Sequence, residues 1–398
     1  MEVKPAIETF AKIKVVGVGG GGGSAVDRMV ESKLKGIDFI TINTDSQALH
    51  KSTAKTKLHI GKTTTKGLGA GMNPEVGFKA AEESQEEIYE KLKGADMIFI
   101  TCGLGGGTGS GGAPVVADIA KDVGALTVAI VTKPFSFEGE QRMRIAEDAL
   151  AKLSEKVDTI ITIPNDRLLQ IIDKKTSLID AFGVVDEVLR QGVEGISNLI
   201  TVPGLINVDF ADVKSIMSDA GSALMGIGSA SGENRAIDAA KAAIDSPLLD
   251  VSIDGAKGIL FTITGGSSLT MHEINESAKV ITEKADSSAK IIFGSVVDDS
   301  MKDDVKVTVI ATGFDDALKP RHTEKKEENS KTFGFKWPGG PQEIAEDGDN
   351  VAGPAIRTKT IKDQPRVSDK LEQDDNDDLS GGGDDDLEIP TFIRKKMM

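Results

Sequence analysis

The chain has 398 residues, 39% hydrophobic and 28% charged, which is enough for two globular units or one large one. Its net charge of −16 argues against nucleic-acid or anionic-membrane binding through bulk charge. The single cysteine, Cys102, excludes an intramolecular disulfide framework and a cysteine-built zinc site, and four scattered histidines have no ligand spacing.

Residues 1–10 are expected to be a flexible N-terminus. Met1–Pro5 lacks a basic segment followed by an apolar one, which predicts no signal peptide and a cytoplasmic location. Apolar runs such as Met97–Ile100 and Val128–Val131 are far short of the roughly 20 residues of a membrane helix.

From residue 11 onward β-rich runs alternate with helical patterns. Strands are predicted at Lys12–Val18, Phe39–Asn43, Met97–Thr101, Leu126–Thr132 and Thr159–Ile163. Helices are predicted at Ser24–Lys33, Glu82–Lys93, Pro114–Val123 and Gln141–Leu153. This rhythm reads as an α/β fold with a Rossmann-like parallel sheet over 11–175.

A long central helix follows within 176–222. Leu178, Phe182, Val185, Leu189, Val193, Ile196 and Ile200 form one apolar stripe at helical period. Gly183, Gly192 and Gly195 within it each cost about 1 kcal/mol relative to Ala, which points to close packing against other elements. Residues 223–314 read as a second, smaller α/β domain. Its strands are predicted at Gly258–Thr264, Ala289–Val297 and Val305–Ala311, and its helices at Glu233–Ile244 and Met271–Ala285.

After Phe314 the pattern stops. Residues 315–386 read as a disordered acidic linker with too little apolar surface to offset chain entropy. Residues 372–388 carry nine acidic residues and no base, after which the composition turns apolar and then basic. Residues 387–398 therefore read as a docking peptide. Ile389, Pro390, Phe392 and Ile393 would supply apolar groups, and Arg394 and Lys395 would meet acidic surface.

Two glycine-rich segments carry the chemistry. The first is Gly17–Ser24, between a strand and a helix, where backbone N–H groups and a helix N-terminus favour an anion. Gly17, Gly19 and Gly22 satisfy G-x-G-x-x-G, and Asp45 follows at a spacing suited to a ribose. Alone, this segment leaves an NAD-dependent oxidoreductase open. The second segment is Gly103–Gly111, again between strand and helix, with Thr108 and Ser110 as hydroxyl donors. Two such segments at strand C-termini of one sheet suit a longer run of phosphates than a dinucleotide has. A third, Gly67–Gly71, is placed to close over a terminal phosphate. No Walker A sequence is present, so backbone rather than a P-loop lysine would hold the phosphates.

Gly105–Gly111, GGGTGSG, resembles the signature of the tubulin/FtsZ superfamily of GTPases. Supporting strings are Asn43–Asp45, Gly69–Glu75, Thr132–Gly139, Ile163–Asp166 and Asn207–Val213, and the similarity runs from about Ala11 to Phe314. The resemblance, to the cell-division branch of that family, implies a GTPase binding GTP or GDP with Mg²⁺. It assigns phosphate contacts to Gly19, Gly20, Gly21, Gly22, Gly23, Ser24, Gly103, Gly106, Gly107, Thr108 and Gly109, with Ala70 and Gly71 sensing the terminal phosphate. Glu138 and Arg142 would flank ribose and phosphates, Asp45 and Asn165 would complete the nucleotide site, and Phe182 and Asp186 would read the base. A carboxylate accepts from guanine's ring N–H and amine together but meets an acceptor on adenine, which favours GTP over ATP. Ser24 stands where many family members carry Asn, so that contact is expected to be weaker.

The nucleotide segments contain no obvious base. By resemblance, Asn207, Asp209 and Asp212 would enter the next subunit's site and orient an attacking water. Locally, Asp209 or Asp212 also suits the cap of a helix starting near Val213. The implied partners are further copies of the chain, head to tail, and membrane adaptor proteins, FtsA-like or ZipA-like, bound through the C-terminal peptide. Nucleic acid and a membrane span are not expected. The implied setting is a bacterial division ring under the membrane, and a non-hydrolysing structural paralogue is the remaining alternative.

Overall fold

Four consecutive burials in one strand set the architecture. In β1 (Ile13–Val18), Ile13 and Val15 join one apolar cluster, and Val16 and Val18 join another on the opposite face. A strand buried on both faces requires a layer on each side of the sheet. The computed structural model describes residues 11–169, 176–202, 204, 206, 208–246 and 253–314. The expectations for residues 1–10, for Asn207 and for the linker and peptide beyond 314 lie outside these.

After β1 come α1 (Gly19–Glu31), β2 (Ile37–Asn43), α2 (Ser46–Lys51), β3 (Thr56–His59), α3 (Lys62–Thr65), α4 (Pro74–Glu83) and α5 (Gln85–Leu92). Then follow β4 (Met97–Gly103), α6 (Gly107–Asp122), β5 (Leu126–Lys133), α7 (Glu140–Ser154), β6 (Thr159–Pro164), α8 (Asn165–Leu168) and α9 (Leu178–Thr201). The chain continues through α10 (Phe210–Met217), β7 (Gly221–Ala230), α11 (Arg235–Ile244), β8 (Gly258–Gly265), α12 (Met271–Thr282), β9 (Lys290–Val297) and β10 (Val305–Thr312).

The ten strands form one sheet in the order β3-β2-β1-β4-β5-β6-β7-β10-β8-β9. Pairing is parallel from β3 through β7, antiparallel on both sides of β10, and parallel again between β8 and β9. One face is covered by α1, α9 and α10, and the other by α4, α5, α6 and α7. A third cluster packs α11 and α12 on β8 and β10 through Phe261, Ile263, Val305, Val307 and Val309. The mixed α/β fold with a mostly parallel sheet is the one the sequence predicts.

The stripe helix is α9, 24 residues long. Its glycines mark close approaches. A Cβ on Gly195 would lie 2.9 Å from Thr308 Cγ2, and one on Gly192 would lie 3.3 Å from Ile130 Cδ1 and Met225 Sδ. Thus α9 packs on one face of the sheet, against β5, β7 and β10.

Several boundaries differ from the sequence reading. Helix α1 begins at Gly19 rather than Ser24, and α6 at Gly107 rather than Pro114. The glycines expected to be loop are the first helical turns, where propensity counts least because the first N–H groups have no intrahelical partner. The helix expected over Glu82–Lys93 is α5, which begins at Gln85; α4 ends just before it and is otherwise unpredicted, and Ser84 parts the two, its Oγ accepting from Gly61 N–H at 3.2 Å. Strands β3 and β7 and helices α2, α3 and α8 have no counterpart in the sequence reading.

Candidate functional site

Strand order reverses between β1 and β4, and at such a switch point the crevice at the strand C-termini is the usual ligand position. The chain leaves β1 straight into α1, and β4 into α6 through the three-residue turn Leu104–Gly106. Neither helix has a side-chain N-cap, and both open on glycine. The first-turn N–H donors that a capping side chain would occupy are therefore left for something else.

These two helix starts line one cavity of about 410 Å³. Val18, Gly20, Gly21 and Ser24 come from β1 and α1, and Gly103, Leu104, Gly106, Gly107, Thr108 and Gly109 from β4 and α6. Gly71 comes from the third glycine segment, Thr132 and Pro134 from the end of β5, and Asn165 from the start of α8. Glu138 and Arg142 form one wall, and α9 supplies Phe182, Val185, Asp186 and Leu189.

The glycines divide into two groups. A Cβ on Gly17 would lie 2.3 Å from Gly22 O, and one on Gly22 would lie 2.3 Å from Thr101 O, so these let α1 rest directly on β1 and β4. A Cβ on Gly107 would meet Gly71 O at 2.6 Å and Asn73 O at 2.8 Å. Gly107 N–H donates to Gly71 O at 2.8 Å, which ties the third segment to α6. By contrast, a Cβ on Gly20, Gly71 or Gly106 would meet nothing within 4 Å. Those three positions open into the cavity from three different segments.

The side chains add a polar end and an aromatic end. Arg142 Nη1 donates to Glu138 Oε2, and Phe135 N–H donates to Glu138 Oε1 at 3.0 Å. The expected neighbours are thus an ion pair on the cavity wall. Asn165 is buried, and its Oδ1 has no hydrogen-bond partner, an acceptor held ready for a ligand donor. Phe182 is 42% exposed and stands edge-on to Phe135, with ring centroids 5.6 Å apart. Its place is the cavity wall rather than the core. Asp186 lies one turn further along α9. Burial pushes its carboxyl up to about 6; Arg28 opposes that rise and Asp27 adds to it.

Some predicted site residues lie elsewhere. Gly19, Gly22, Gly23 and Ala70 are buried and do not line the cavity. Asp45 does not line it either. Its Oδ1 accepts from Gln47 N–H at 2.8 Å and Ala48 N–H at 3.3 Å, capping α2. That turn also anchors the third segment, since Ser46 N–H donates to Gly67 O at 3.1 Å and Gly69 N–H to Thr44 O at 3.2 Å. The hydroxyls of Thr108 and Thr44 are 2.7 Å apart, and Ser110 Oγ accepts from Gly105 N–H at 2.9 Å. Ser110 therefore shapes the segment from within. Val18, Leu104, Thr132, Pro134, Val185 and Leu189 also line the cavity, beyond the residues that motif and resemblance single out. Val185 and Leu189 belong to the helical stripe, and the other four lie inside segments that the sequence singles out without being assigned a contact of their own.

Asp209 and Asp212 are exposed and outside the cavity. Asp209 is the N-cap of α10, its Oδ1 accepting from Asp212 N–H at 2.8 Å. The carboxylates that do line the cavity are Glu138, which is ion-paired, and Asp186, which sits on the α9 wall. Lys62 is paired with Glu87 at 2.9 Å and takes no part. Cys102 is buried, and burial pushes its thiol up to about 12, so it acts as a small apolar group. Among the described residues, no group of three or more His, Cys, Asp or Glu is placed to hold a metal, and no helix is long and apolar enough to cross a membrane.

Residues 12–173 match the GTPase domain of the Tubulin/FtsZ family, and residues 221–315 match the C-terminal domain of the FtsZ family. Among solved structures, an FtsZ dimer from M. jannaschii is 48% identical with a TM-score of 0.74, covering 77% of this chain and 89% of that one. A tryptophan-to-tyrosine mutant of M. jannaschii FtsZ is likewise 48% identical with a TM-score of 0.74, over 77% and 92%. A GTPγS-bound protofilament of CetZ2 from Haloferax volcanii is 22% identical with a TM-score of 0.66, over 75% and 92%, and shares the fold.

Proposed function

Since the chain belongs to the tubulin/FtsZ family of GTPases, and to its FtsZ type, we propose that it polymerises head to tail and hydrolyses GTP in a site completed by the next subunit. The observation that carries this reading is a division of labour. The cavity offers backbone donors from two uncapped helix starts, and its two carboxylates are Glu138, held by Arg142, and Asp186 on the α9 wall, while two exposed carboxylates stand at the start of α10.

The roles we assign draw on the family resemblance together with the cavity's lining. Residues 11–175 bind the nucleotide, 176–222 carry the central helix and the catalytic loop, and 223–314 form the smaller α/β domain. First-turn N–H groups of α1 and α6 receive the phosphates. Gly71, hydrogen-bonded to α6, senses the terminal phosphate. Glu138, Arg142 and Asn165 flank the ribose end. Phe182 stacks on the base, and ionised Asp186 accepts two hydrogen bonds from guanine. Mg²⁺ would neutralise the phosphates, held by phosphate oxygens rather than by a protein cluster. Asp209 and Asp212 of the adjoining subunit, with Asn207, orient the attacking water. Capping fixes Asp209 and leaves Asp212 exposed in the first turn of α10.

A head-to-tail contact that does not close on itself gives a filament. The M. jannaschii FtsZ dimer and the CetZ2 protofilament support self-association as the mode of assembly. The biological setting is a division ring beneath the cytoplasmic membrane, tethered through residues 387–398 to membrane adaptors. That part of the reading rests on the apolar-then-basic sequence of the peptide.

Asp212→Ala tests the split site. The variant is expected to bind GTP normally and to form filaments, with turnover down by about a hundredfold or more, the usual scale for losing a group that acts on the reacting water. Full turnover in its filaments would contradict the proposal. Deleting 387–398 is expected to abolish adaptor binding and leave turnover intact.

A further inference from the structure

The segment joining α9 to α10 carries the proposed catalytic carboxylate Asp209, and it is seated on the outer edge of β9. Strand β9 ends the sheet, with β8 on its inner side. On its outer side, Ser295 forms an antiparallel bridge with Ile206, and Ser295 N–H donates to Ile206 O at 3.3 Å. Two glycines make the approach possible. A Cβ on Gly204 would lie 2.2 Å from Ser295 O, and one on Gly294 would lie 2.4 Å from Leu199 Cδ2 and 3.4 Å from Val208 Cγ2. Leu199 lies in the last turns of α9, and Val208 immediately precedes Asp209; both are buried. The Ser295 hydroxyl is fully buried with no partner, so the seat uses this residue's backbone and not its side chain.

We infer that Gly204 and the Gly294–Ser295 edge of β9 are positioning residues for hydrolysis, holding Asp209 and Asp212 at the height from which they reach the neighbouring subunit's nucleotide. The inference rests on the split-site reading. Its physical content is that a residue in the smaller domain, touching no nucleotide, sets the turnover of the subunit beside it. A misplacement of the order of 1 Å far from the chemistry costs about a hundredfold in rate.

Two substitutions act on the seat from opposite sides. Gly204→Ala drives a Cβ into Ser295 O. Ser295→Pro removes the one N–H that reaches Ile206 and spares the β8 ladder, because both the N–H and the C=O of Ser295 face outward and proline is tolerated on an edge strand. Ser295→Ala keeps the N–H and serves as the conservative variant. The full-length variants are measured for GTP affinity at concentrations below assembly, for scattering, and for turnover per assembled subunit.

Gly204→Ala and Ser295→Pro are expected to keep GTP affinity and assembly within about twofold while turnover falls by about tenfold or more, part of the loss that a full 1 Å misplacement brings. Ser295→Ala is expected to match the parent. Two outcomes overturn the inference: undiminished turnover in Gly204→Ala and Ser295→Pro filaments, or turnover lost only in proportion to assembly. Asp212→Ala run alongside separates this from failure of the split site. If Asp212→Ala turns over fully, the split-site reading fails; if only the seat variants do, the positioning role fails.

Discussion

The two halves of the molecule hold themselves together by different means. Around β1 and β4 the contacts are backbone on backbone. Gly17, Gly22, Gly107 and Gly111 are positions where a single Cβ would fall 2.0–2.6 Å from a backbone carbonyl oxygen. The smaller domain has such approaches too, at Gly228 and Gly266, where a Cβ would fall 2.1 Å from Ala239 O and from Lys302 O, but it adds a network of buried side chains. Arg235, 8% exposed, donates through Nε to Glu273 Oε1 at 2.6 Å and through Nη1 to Asp303 O at 2.9 Å, and also reaches Ser268. Glu273 caps α12 through Thr270 as well, and Arg235 holds its carboxyl down at about 2. Phe261 and Phe293 stack at 5.5 Å in the same domain. Around the cavity the glycines leave backbone N–H groups facing the site where we propose the phosphates bind, whereas the smaller domain joins its helices through Arg235 and Glu273 as well as through glycine contacts.

The comparison is broken most severely at the packing glycines. Gly22→Ala places a methyl group 2.3 Å from Thr101 O and is expected to cost about 3 kcal/mol or more in chemical denaturation. Gly20→Ala, two residues away, meets nothing within 4 Å. It is expected to leave stability unchanged or raise it by up to about 1 kcal/mol, because Ala is the better helix former. GTP affinity should nevertheless fall by about tenfold or more, since the methyl group would crowd the proposed phosphate position, and weakening one charge-assisted hydrogen bond there is worth that much. Equal destabilisation of both variants would erase the division of the glycines into two kinds.

Arg235→Ala probes the other half. Removing one partner of a largely buried, hydrogen-bonded pair is expected to cost about 3 kcal/mol, read as a fall in the denaturation midpoint. Nucleotide affinity below assembly concentration should not move. The depressed Glu273 carboxyl adds a pH signature. Its stabilisation is full above the ordinary carboxylate range and is lost as pH falls toward about 2.

A smaller effect sits where the site is charged. The Asp186 carboxyl is raised to about 6 chiefly by burial, so near that pH it is partly protonated in the empty cavity. Guanine's two donors favour the ionised form, which lowers its pKa in the complex. Affinity for GDP is therefore expected to be constant above about pH 7 and to fall by up to about tenfold per unit below about pH 6, with Asp186→Asn flattening the profile. A flat wild-type profile would remove Asp186 from base reading. The smallest effect belongs to the exposed Lys62–Glu87 pair at 2.9 Å, where Lys62→Met should stay within about 0.5 kcal/mol, the usual size for an exposed ion pair.

The sheet and the central helix are legible in the sequence because their signals are physical and local. Strands buried on both faces read as continuous apolar runs, and the seven-residue stripe has only one helical solution. The helix starts at Gly19 and Gly107 are not legible. Glycine opposes helix, so the sequence reading places these glycines in loops, and only the fold shows that they form the first helical turns. Strand β7 is hidden for a related reason. Its sequence, GSALMGIGSA, is poor in β-formers because α11 lies on it, a Cβ at Gly228 falling 2.1 Å from Ala239 O. Of the site, the glycine segments can be found from spacing, and the α9 pair from the family resemblance. Thr132, Pro134 and Leu104 lie in stretches the sequence singles out, but that they form a wall follows only from strand order. Asp45 fits a ribose-binding spacing, yet its carboxylate caps a six-residue helix.

The central claim is that the active site is assembled between subunits. Its most direct measurement is GTP turnover per molecule against protein concentration in Mg²⁺, with light scattering followed in the same sample. A rate near zero at low concentration that rises together with scattering above a threshold is the predicted result. A rate per molecule that does not change with concentration would place a complete catalytic site within one chain and contradict the roles given to Asp209 and Asp212.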